Sequence, residues 1–574
     1  MSQKPEKAGP SRSGTGSIWF PEGTTEEQKR QMRRNRLVML VMFCFVALIG
    51  LRVMNIQSHS PEYDEIWTVQ HYVGLPVAEI LSDVATPNNH VLNTLAIKFF
   101  SAWVPNFNFA MRLPALLGLA GLFVILLRAT LLLLKNKAAR GSVLAVVLLD
   151  GMILHYAETA RGYSLQIFFV FGLLFSLLCI SEGKKENRTF NSVMWLLCAL
   201  GSCLSVSSGV LYAAILTILW ILLYIPFREG VRKIWQDYRP LIVAGACCSV
   251  FVLAWYGGNY SKFAAGQARF GESFSSLPQY FGYCWNILRD TGLAWGLLIV
   301  IAGGVWLRRE YASRICALTG AAAVLMLVSA MFTKGGPARV YLPLIPVVYF
   351  GAGTVLDELI ERVEWMKTYG MAVFLAVLVG CAYASEPRRT AAADPDMGII
   401  FSEVKKQDPR VLVSYRPTDS YVLVTLFGDE ARLDNTARLQ NPELLMLLQD
   451  NTIGTMRFRD SDTVFLQPGC RELESGKVAP ERMQYWLYRL RPVRPGESLT
   501  GKAVLCFVHG MIPELMAGNS GNWLKDNFSV VNGMLTRGSS SFCFAAPGDR
   551  LDANELLKIW QSRQGRVFFK VLTD

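Results

Sequence analysis

Between Leu37 and Ser385 the sequence returns again and again to mostly apolar runs of roughly 15 to 22 residues, too many for one water-soluble core to bury. A bilayer accommodates them. A helix needs about 20 apolar residues to cross the hydrocarbon, and helices keep every backbone polar group satisfied there. Eleven such spans can be drawn, at 37–56, 113–134, 141–157, 162–181, 191–205, 207–226, 240–257, 291–307, 315–333, 341–357 and 369–385. The composition agrees: 52% of the 574 residues are hydrophobic, only 18% are charged, and the mean hydropathy is +0.29. Residues 1–36 are rich in Gly, Ser and Pro, then basic, and end in Arg33, Arg34 and Arg36. They read as a cytoplasmic tail ahead of a signal-anchor span, because the following run is longer than the apolar region of a cleaved signal peptide.

The segment Val91 to Val104 is amphipathic, interrupted by Asn93 and Lys98, and short for a span, so it reads as an interfacial or re-entrant helix. The positive-inside rule supports this. Without that segment as a span, four basic loops fall on the side of the basic N-terminus: Lys135/Lys137/Arg140, Lys184/Lys185/Arg188, Arg228/Arg232/Lys233/Arg239 and Arg308/Arg309/Arg314. The loop 55–90 then lies outside, carrying Glu62, Asp64, Glu65, Glu79 and Asp83 and no Lys or Arg. The loop 357–367 is inside yet net acidic, against the trend. The net charge of +12 therefore belongs largely to topology, and nucleic-acid binding is not expected.

An odd number of spans places the remainder outside. A linker, 386–397, leads into 398–574, where strand-like runs at 411–415, 463–467, 504–508 and 567–572 alternate with helical stretches such as 554–561, the pattern of a soluble α/β domain. The domain plan is thus a tail (1–36), a membrane domain (37–385), a linker and an outer, periplasmic domain. Of twelve cysteines none shows metal-site spacing, and eight lie in apolar segments as small hydrophobes. Cys470, Cys506 and Cys543 fall in the polar C-terminal part, so at least one thiol there stays unpaired even if Cys506 and Cys543 join.

Chemistry-bearing residues collect outside. Asp64 and Glu65 sit among the interfacial aromatics Tyr63, Trp67 and Tyr72. Thr86-Pro87-Asn88-Asn89-His90 opens the interfacial helix, and its residues are also ordinary turn and cap formers. His155, Glu158, Arg161 and Tyr163 lie between two spans. Lys262, Arg269, Lys334 and Arg339 share their side, with Tyr341 two residues further on. Outward cations run against the charge bias, which points to an anionic ligand. Asp394-Pro-Asp396 and Asp460-Ser-Asp462 have the spacing of a metal-binding motif, in contexts that favour coincidence. Asp150, inside a span, costs roughly 2.5 to 3.5 kcal/mol if central and has no role assignable from sequence.

In order, these pieces resemble the GT-C glycosyltransferases that use polyprenyl-phosphate sugars, the group of the protein O-mannosyltransferases and the aminoarabinose transferases of lipid A. Asp64-Glu65 is similar to the Asp-Glu of the family's first outer loop, and Pro87 to Leu92 stands where the family has a Pro-rich or His-Pro segment. Arg112-Leu-Pro-Ala-Leu resembles an Arg-Leu-Pro-Ser-Ala-Leu, Glu158-x-x-Arg161-x-Tyr163 a Glu-Ala-Arg-x-Tyr, and Arg339-Val-Tyr-Leu-Pro-Leu-Ile-Pro an Arg-Tyr-Leu-Leu-Pro. Asn88-Asn89-His90 departs from the family's Pro-Pro, and no Lys stands beside it. The Trp-Trp-Asp signature of oligosaccharyltransferases is missing, which disfavours transfer of a whole oligosaccharide.

The resemblance implies an inverting transferase in the bacterial plasma (inner) membrane, acting on a polyprenyl-phosphate sugar donor and an acceptor hydroxyl of a lipid, glycan or protein, amid membrane lipids. Asp64 is the expected base, with Glu65 orienting and Glu158 as the next carboxylate. Arg161, Arg339, Lys334 and Arg269 are expected to hold the donor phosphate, and His90, Asn89, Tyr163 and Tyr341 to line the substrate site. No cofactor is expected; a divalent metal is left open. A transporter or flippase of lipid-linked sugars, and an O-antigen ligase-like transferase with a diphosphate donor, are the competing readings. The topology makes a prediction: a reporter fused after Met397 reports the outer compartment, and a cytoplasmic signal there would mean that 91–104 crosses the membrane and scatters the site residues to both sides.

Overall fold

The computed structural model describes residues 43–54, 56, 60–83, 86, 88–182, 185–270, 273–307, 310–392, 411–413, 444–449, 464–466, 484–499, 504–509, 528–537, 540–547, 553–562 and 567–572. The expected tail, most of the C-terminal loops, Cys470 and both Asp-x-Asp pairs lie outside the described residues. The chain divides into two compact units, Met1–Asn55 and Ile56–Asp574. The described part of the first is one apolar helix, α1 (Phe43–Met54).

The second unit begins with three short helices, α2 (Tyr63–Thr68), continued by a π turn over Val69–Val73, then α3 (Val77–Ser82) and α4 (Val91–Ser101). α4 holds 11 residues, about half a membrane crossing, and buries its Val91, Asn93, Thr94 and Ile97 face while Phe99 stays exposed. The long helices follow: α5 (Phe107–Leu133), α6 (Lys137–Leu148), α7 (Gly151–Glu158), α8 (Tyr163–Glu182), α9 (Arg188–Ser205), α10 (Gly209–Tyr224), α11 (Val231–Gly258), α12 (Tyr260–Phe270), α13 (Leu277–Asp290), α14 (Leu293–Trp306), α15 (Glu310–Thr333), α16 (Leu344–Arg362) and α17 (Glu364–Ala392).

Among the described residues five helices are long and apolar enough to cross a membrane, and seven if the bent pairs α6/α7 and α13/α14 each count as one span. The eleven spans drawn from sequence exceed that number. α1, α4 and α10 are apolar but shorter, and α9 and α16 mix polar residues into their length. Two further differences stand out. α12 and α13 occupy 260–290, where no span was drawn, and α17 runs through Pro387 to Ala392, seven residues into the expected linker.

The break between α6 and α7 explains Asp150. The two helices meet at 51°, and the Asp150 side chain accepts from the backbone N–H of Met152 at 3.0 Å and Ile153 at 3.1 Å, capping α7 from a buried position. A helix that starts inside a membrane leaves backbone donors with no water to satisfy them, and an N-cap carboxylate supplies the acceptor.

Contacts between loops bring several of the connecting segments together. Asp357, at the end of α16, accepts from the N–H groups of Lys135 (3.0 Å) and Asn136 (2.6 Å) at the start of α6. Glu361 lies 3.7 Å from Lys135, and Glu358 binds Arg362 at 2.6 Å. The acidic loop that ran against the charge trend is thus matched locally by basic groups and backbone donors, on the same end of the bundle as 135–140. Arg188 meets Asp237 at 3.4 Å, joining two more loops expected on that end.

Among the described residues the C-terminal strands form one sheet: β1 (Val411–Val413), β2 (Leu444–Gln449), β3 (Val464–Leu466), β4 (Gln484–Pro492), β5 (Val504–His509), β6 (Phe528–Arg537), β7 (Ser540–Pro547) and β8 (Val567–Leu572), with one described helix, α18 (Ala553–Ser562). The strand order is β1-β2-β4-β8-β5-β7-β6, with β3 also paired to β4. Among the described residues only β1 and β2 run parallel; the other described pairings are antiparallel. The described residues of all four runs read as strands from sequence lie in it.

The Asp150 cap yields a prediction. Asp150→Ala should destabilise the protein by about 1 kcal/mol while Asp150→Asn, which keeps the acceptor, stays near wild type. Thermal unfolding in detergent compares them, and equal losses in both variants would refute the capping role.

Candidate active site

The site is built on a buried ion pair. Glu65, in the first turn of α2, is fully buried, and its carboxylate receives Arg112 Nε at 2.8 Å and Nη2 at 2.7 Å in a two-pronged contact. The same carboxylate accepts from the backbone N–H of Ala160 at 2.6 Å and of Glu62 at 2.8 Å. Arg112, on α5, spends further donors on the carbonyls of Ile56 (2.9 Å) and Ser60 (3.3 Å). Two charges at this depth survive because their hydrogen-bonding capacity is so widely used. The geometry gives Glu65 an orienting role: it ties the segment that carries α2 to α5 and to the turn between α7 and α8.

That tie sets the neighbouring Asp64. Its Oδ1 accepts from Asn88 Nδ2 at 2.9 Å, and its Oδ2 from Arg161 Nη1. About a fifth of the Asp64 side chain (21%) stays exposed, against 5% for Arg161. Thr68 Oγ1 donates to the Asn88 carbonyl at 3.0 Å, fixing the residue that holds Asp64.

Tyr163, in the first turn of α8, joins the two arginines. The Arg161 guanidinium lies 5.2 Å from its ring centroid, and Arg339 Nε donates to its hydroxyl at 3.0 Å. Arg161 Nε is buried with no partner among the described residues. Arg339 stands on a short 3₁₀ turn, Ala338–Tyr341, half-buried. Two guanidinium groups therefore flank one phenol, with the Asp64 carboxylate on Arg161; these three charged groups sum to one positive unit, with N–H groups to spare. Gly162, between Arg161 and Tyr163, permits this: a Cβ there would come within 2.5 Å of the Ser205 carbonyl and 2.8 Å of His90 Cβ.

His90 packs edge-on to Tyr163 with ring centroids 5.0 Å apart. Its Nδ1 lies 3.1 Å from the Ser205 carbonyl, which can only accept, so Nδ1 carries the proton. Burial, reinforced by the Arg161 charge, pushes its pKa down to about 3, and the ring is neutral at physiological pH.

Of the other expected site residues, Asn89 and Tyr341 serve the frame. Asn89 donates to the carbonyls of Ile80 (2.9 Å) and Asp83 (2.7 Å) and accepts from Thr94, which leaves its side chain committed to the loop. Tyr341 is buried with its hydroxyl 2.9 Å from that of Tyr283 on α13. Glu158 ends α7, buried. Lys334 takes a left-handed backbone conformation, φ 67°, in the turn after α15. Arg269 is on α12, and its side chain lies outside the described residues. The cluster thus gathers Asp64, Arg161, Tyr163, Arg339 and His90. Sequence reasoning had named Asn88 and His155 among the chemistry-bearing residues without giving them a role, and had counted neither Arg112 nor Glu62, which lies 3.5 Å from His155, as a site residue. Asn88 adjoins two residues it did count, whereas the partner of a buried arginine is set by the fold alone. Among the described residues no three His, Cys, Asp or Glu side chains converge as metal ligands would.

No protein-family model matches the chain, and no curated protein matches it in sequence. Among solved structures it is similar to ArnT from Cupriavidus metallidurans in the apo state, with 12% identity and a TM-score of 0.43 over 79% of this chain and 98% of that one. The same protein bound to undecaprenyl phosphate gives 12% identity and a TM-score of 0.40 over 78% and 97%. At this distance the functional reading rests on the residues themselves.

The geometry predicts two outcomes. Arg112→Ala, which strands Glu65 as a buried lone charge, should cost about 3–5 kcal/mol of stability, measured by unfolding in detergent. For His90 the folded pKa lies below the ordinary value near 6.5, so the unfolded chain takes up the proton first as pH falls. The stability His90 contributes above about pH 6.5 is therefore lost progressively toward pH 3, and His90→Gln should flatten the acid limb of a Tm-versus-pH profile.

Proposed function

We propose that the chain is an integral-membrane inverting glycosyltransferase, which moves a sugar from a polyprenyl-phosphate donor to an acceptor hydroxyl on the outer face of the plasma membrane. The observation that carries this reading is the pair of arginines at Tyr163, Arg161 buried and Arg339 half-buried, with Asp64 beside Arg161 and donor N–H groups unspent. Two cations held this close repel each other, and an anion that takes up their remaining donors relieves the repulsion.

The chemistry follows from charge. The donor is a phosphodiester with one negative charge, which complements the single net positive charge of the cluster; a diphosphate donor would bring at least two. In the reaction the acceptor oxygen bonds to the anomeric carbon from the face opposite the phosphate, and the carbon–oxygen bond to phosphate breaks. The phosphate departs as an anion and needs no proton, so no general acid is required, in contrast to a glycosidase. The hydroxyl proton must go somewhere, and the partly exposed Asp64 carboxylate is the base within the cluster. As negative charge builds on the departing oxygen, Arg161 and Arg339 stabilise it more than they do the bound donor, which is how a preplaced cation lowers a barrier.

In this reading the N-terminus is cytoplasmic, the sheet of residues 411–572 lies in the outer compartment, and the acceptor is a hydroxyl of a lipid, glycan or protein. Asp64 and Glu65 on α2, Ala160 and Arg161 beyond the end of α7, and Arg339 beyond the end of α15 are segment-end positions. A transporter of lipid-linked sugars would place its ionisable groups near the midplane on broken helices.

Asp64→Asn keeps size and the contact with Asn88 but removes the base, so turnover should fall by about 10²- to 10⁴-fold with donor binding largely retained. Arg161→Lys and Arg339→Lys should already raise donor KM, because a point charge does not replace a planar fork, and the alanine variants should lower kcat as well. Assays with a labelled polyprenyl-phosphate sugar, with and without acceptor, check both; wild-type kinetics in the alanine variants would reduce the two arginines to rim residues.

A further inference from the structure

The register of the C-terminal sheet brings together two cysteines that are far apart in sequence. β5 and β7 are antiparallel neighbours, and Cys506 stands directly opposite Cys543. On the other edge of β5, Cys506 is opposite Phe569 of β8, so this strand is interior to the sheet. Directly opposite residues of an antiparallel pair share one face, with Cα atoms about 4.5 or 5.5 Å apart depending on the hydrogen-bonding class. Either value lies inside the range of about 4.4 to 6.8 Å that a disulfide spans.

We propose that Cys506 and Cys543, set directly opposite each other by the β5–β7 register, are joined in the mature protein by a disulfide that clamps the β6–β7 hairpin to the centre of the sheet. The closed loop runs from 506 to 543 and contains all of β6, which among the described residues pairs only with β7. Without the bond, that hairpin is held to the rest of the sheet by the β5–β7 ladder. With it, the unfolded chain is constrained across the whole segment, which is how a cross-link favours the folded state. The two thiols lose two protons and two electrons, a sulfur–sulfur bond forms, and a disulfide-bearing oxidant is reduced to its dithiol by exchange through a mixed disulfide. Oxidants of that class act outside the cytoplasm, so the proposal rests on the outer placement of residues 411–572 in the reading above.

The experiment uses the full-length protein. Membranes are quenched in acid, denatured and alkylated before and after reduction, and peptides are mapped by mass. The expected result is that Cys506 and Cys543 resist alkylation until reduced, appear as one linked peptide pair, and that Cys543→Ser exposes a newly reactive Cys506. Because alkylation is done in denaturant, buried but reduced thiols would react at once, and that result overturns the proposal; so does linkage of either cysteine to Cys470. A second arm separates the causes of failure. Purified reduced protein is incubated with glutathione disulfide: no Cys506–Cys543 link there refutes the strand register, whereas a link in vitro with free thiols in membranes refutes the outer placement, as a cytoplasmic signal from the Met397 reporter would independently.

Discussion

The contact on which the site depends is the buried pairing of Glu65 with Arg112. A carboxylate with no exposed surface and four protein donors around it is expensive to create and more expensive to break, since loss of either partner leaves a charge in a medium that cannot solvate it. Its value is geometric. Through Glu65 the loop carrying Asp64 is bound to α5, and through the Ala160 N–H it is bound to the turn carrying Arg161. The neighbouring carboxylate and guanidinium thus meet because their sequence neighbours are locked together.

The membrane explains why polar groups are used so fully. A helix that begins within the bundle needs an acceptor for its first donors, and Asp150 supplies one at the bend before α7. An incoming loop needs the same, and Asp357 serves the backbone at the start of α6. Both carboxylates looked anomalous as charges, one inside a span and one in a loop of the wrong sign. As acceptors for backbone donors they are ordinary, and the low-dielectric surroundings make them hard to replace.

Much of this was legible in the sequence because its signals are local or cumulative. The length of apolar runs marks membrane helices, and the short, Asn-broken stretch before Trp103 marked α4 as something other than a span. Basic loops sorted the connections by side, so that Asp64, His90, Arg161, Tyr163 and Arg339 were expected on one face before any contact was known. The number of spans was less legible. α9 and α16 carry polar residues that the bundle tolerates on protected faces, and α13 bends by 97° into α14 in a region where hydropathy showed only one segment. The end of α17 was also missed, since Pro387 reads as a stop and the helix continues past it.

The sequence by itself marked this chain as a multi-pass membrane protein and sorted its loops into two sets, because both readings depend on hydrophobicity and on counting lysines and arginines. Only the tertiary structure decided the division of labour within the adjacent acidic pair. Asp64 and Glu65 are neighbours of similar chemistry, yet helix geometry turns one into a buried tie to Arg112 and leaves the other partly exposed beside Arg161 and Asn88. It also decided that Asn89 and Tyr341 hold the frame while Tyr163 joins two arginines, and that Cys506 stands opposite Cys543 in the strand register. Each of these is a pairing between residues remote in the chain, set by packing and register, and no local pattern encodes its partner.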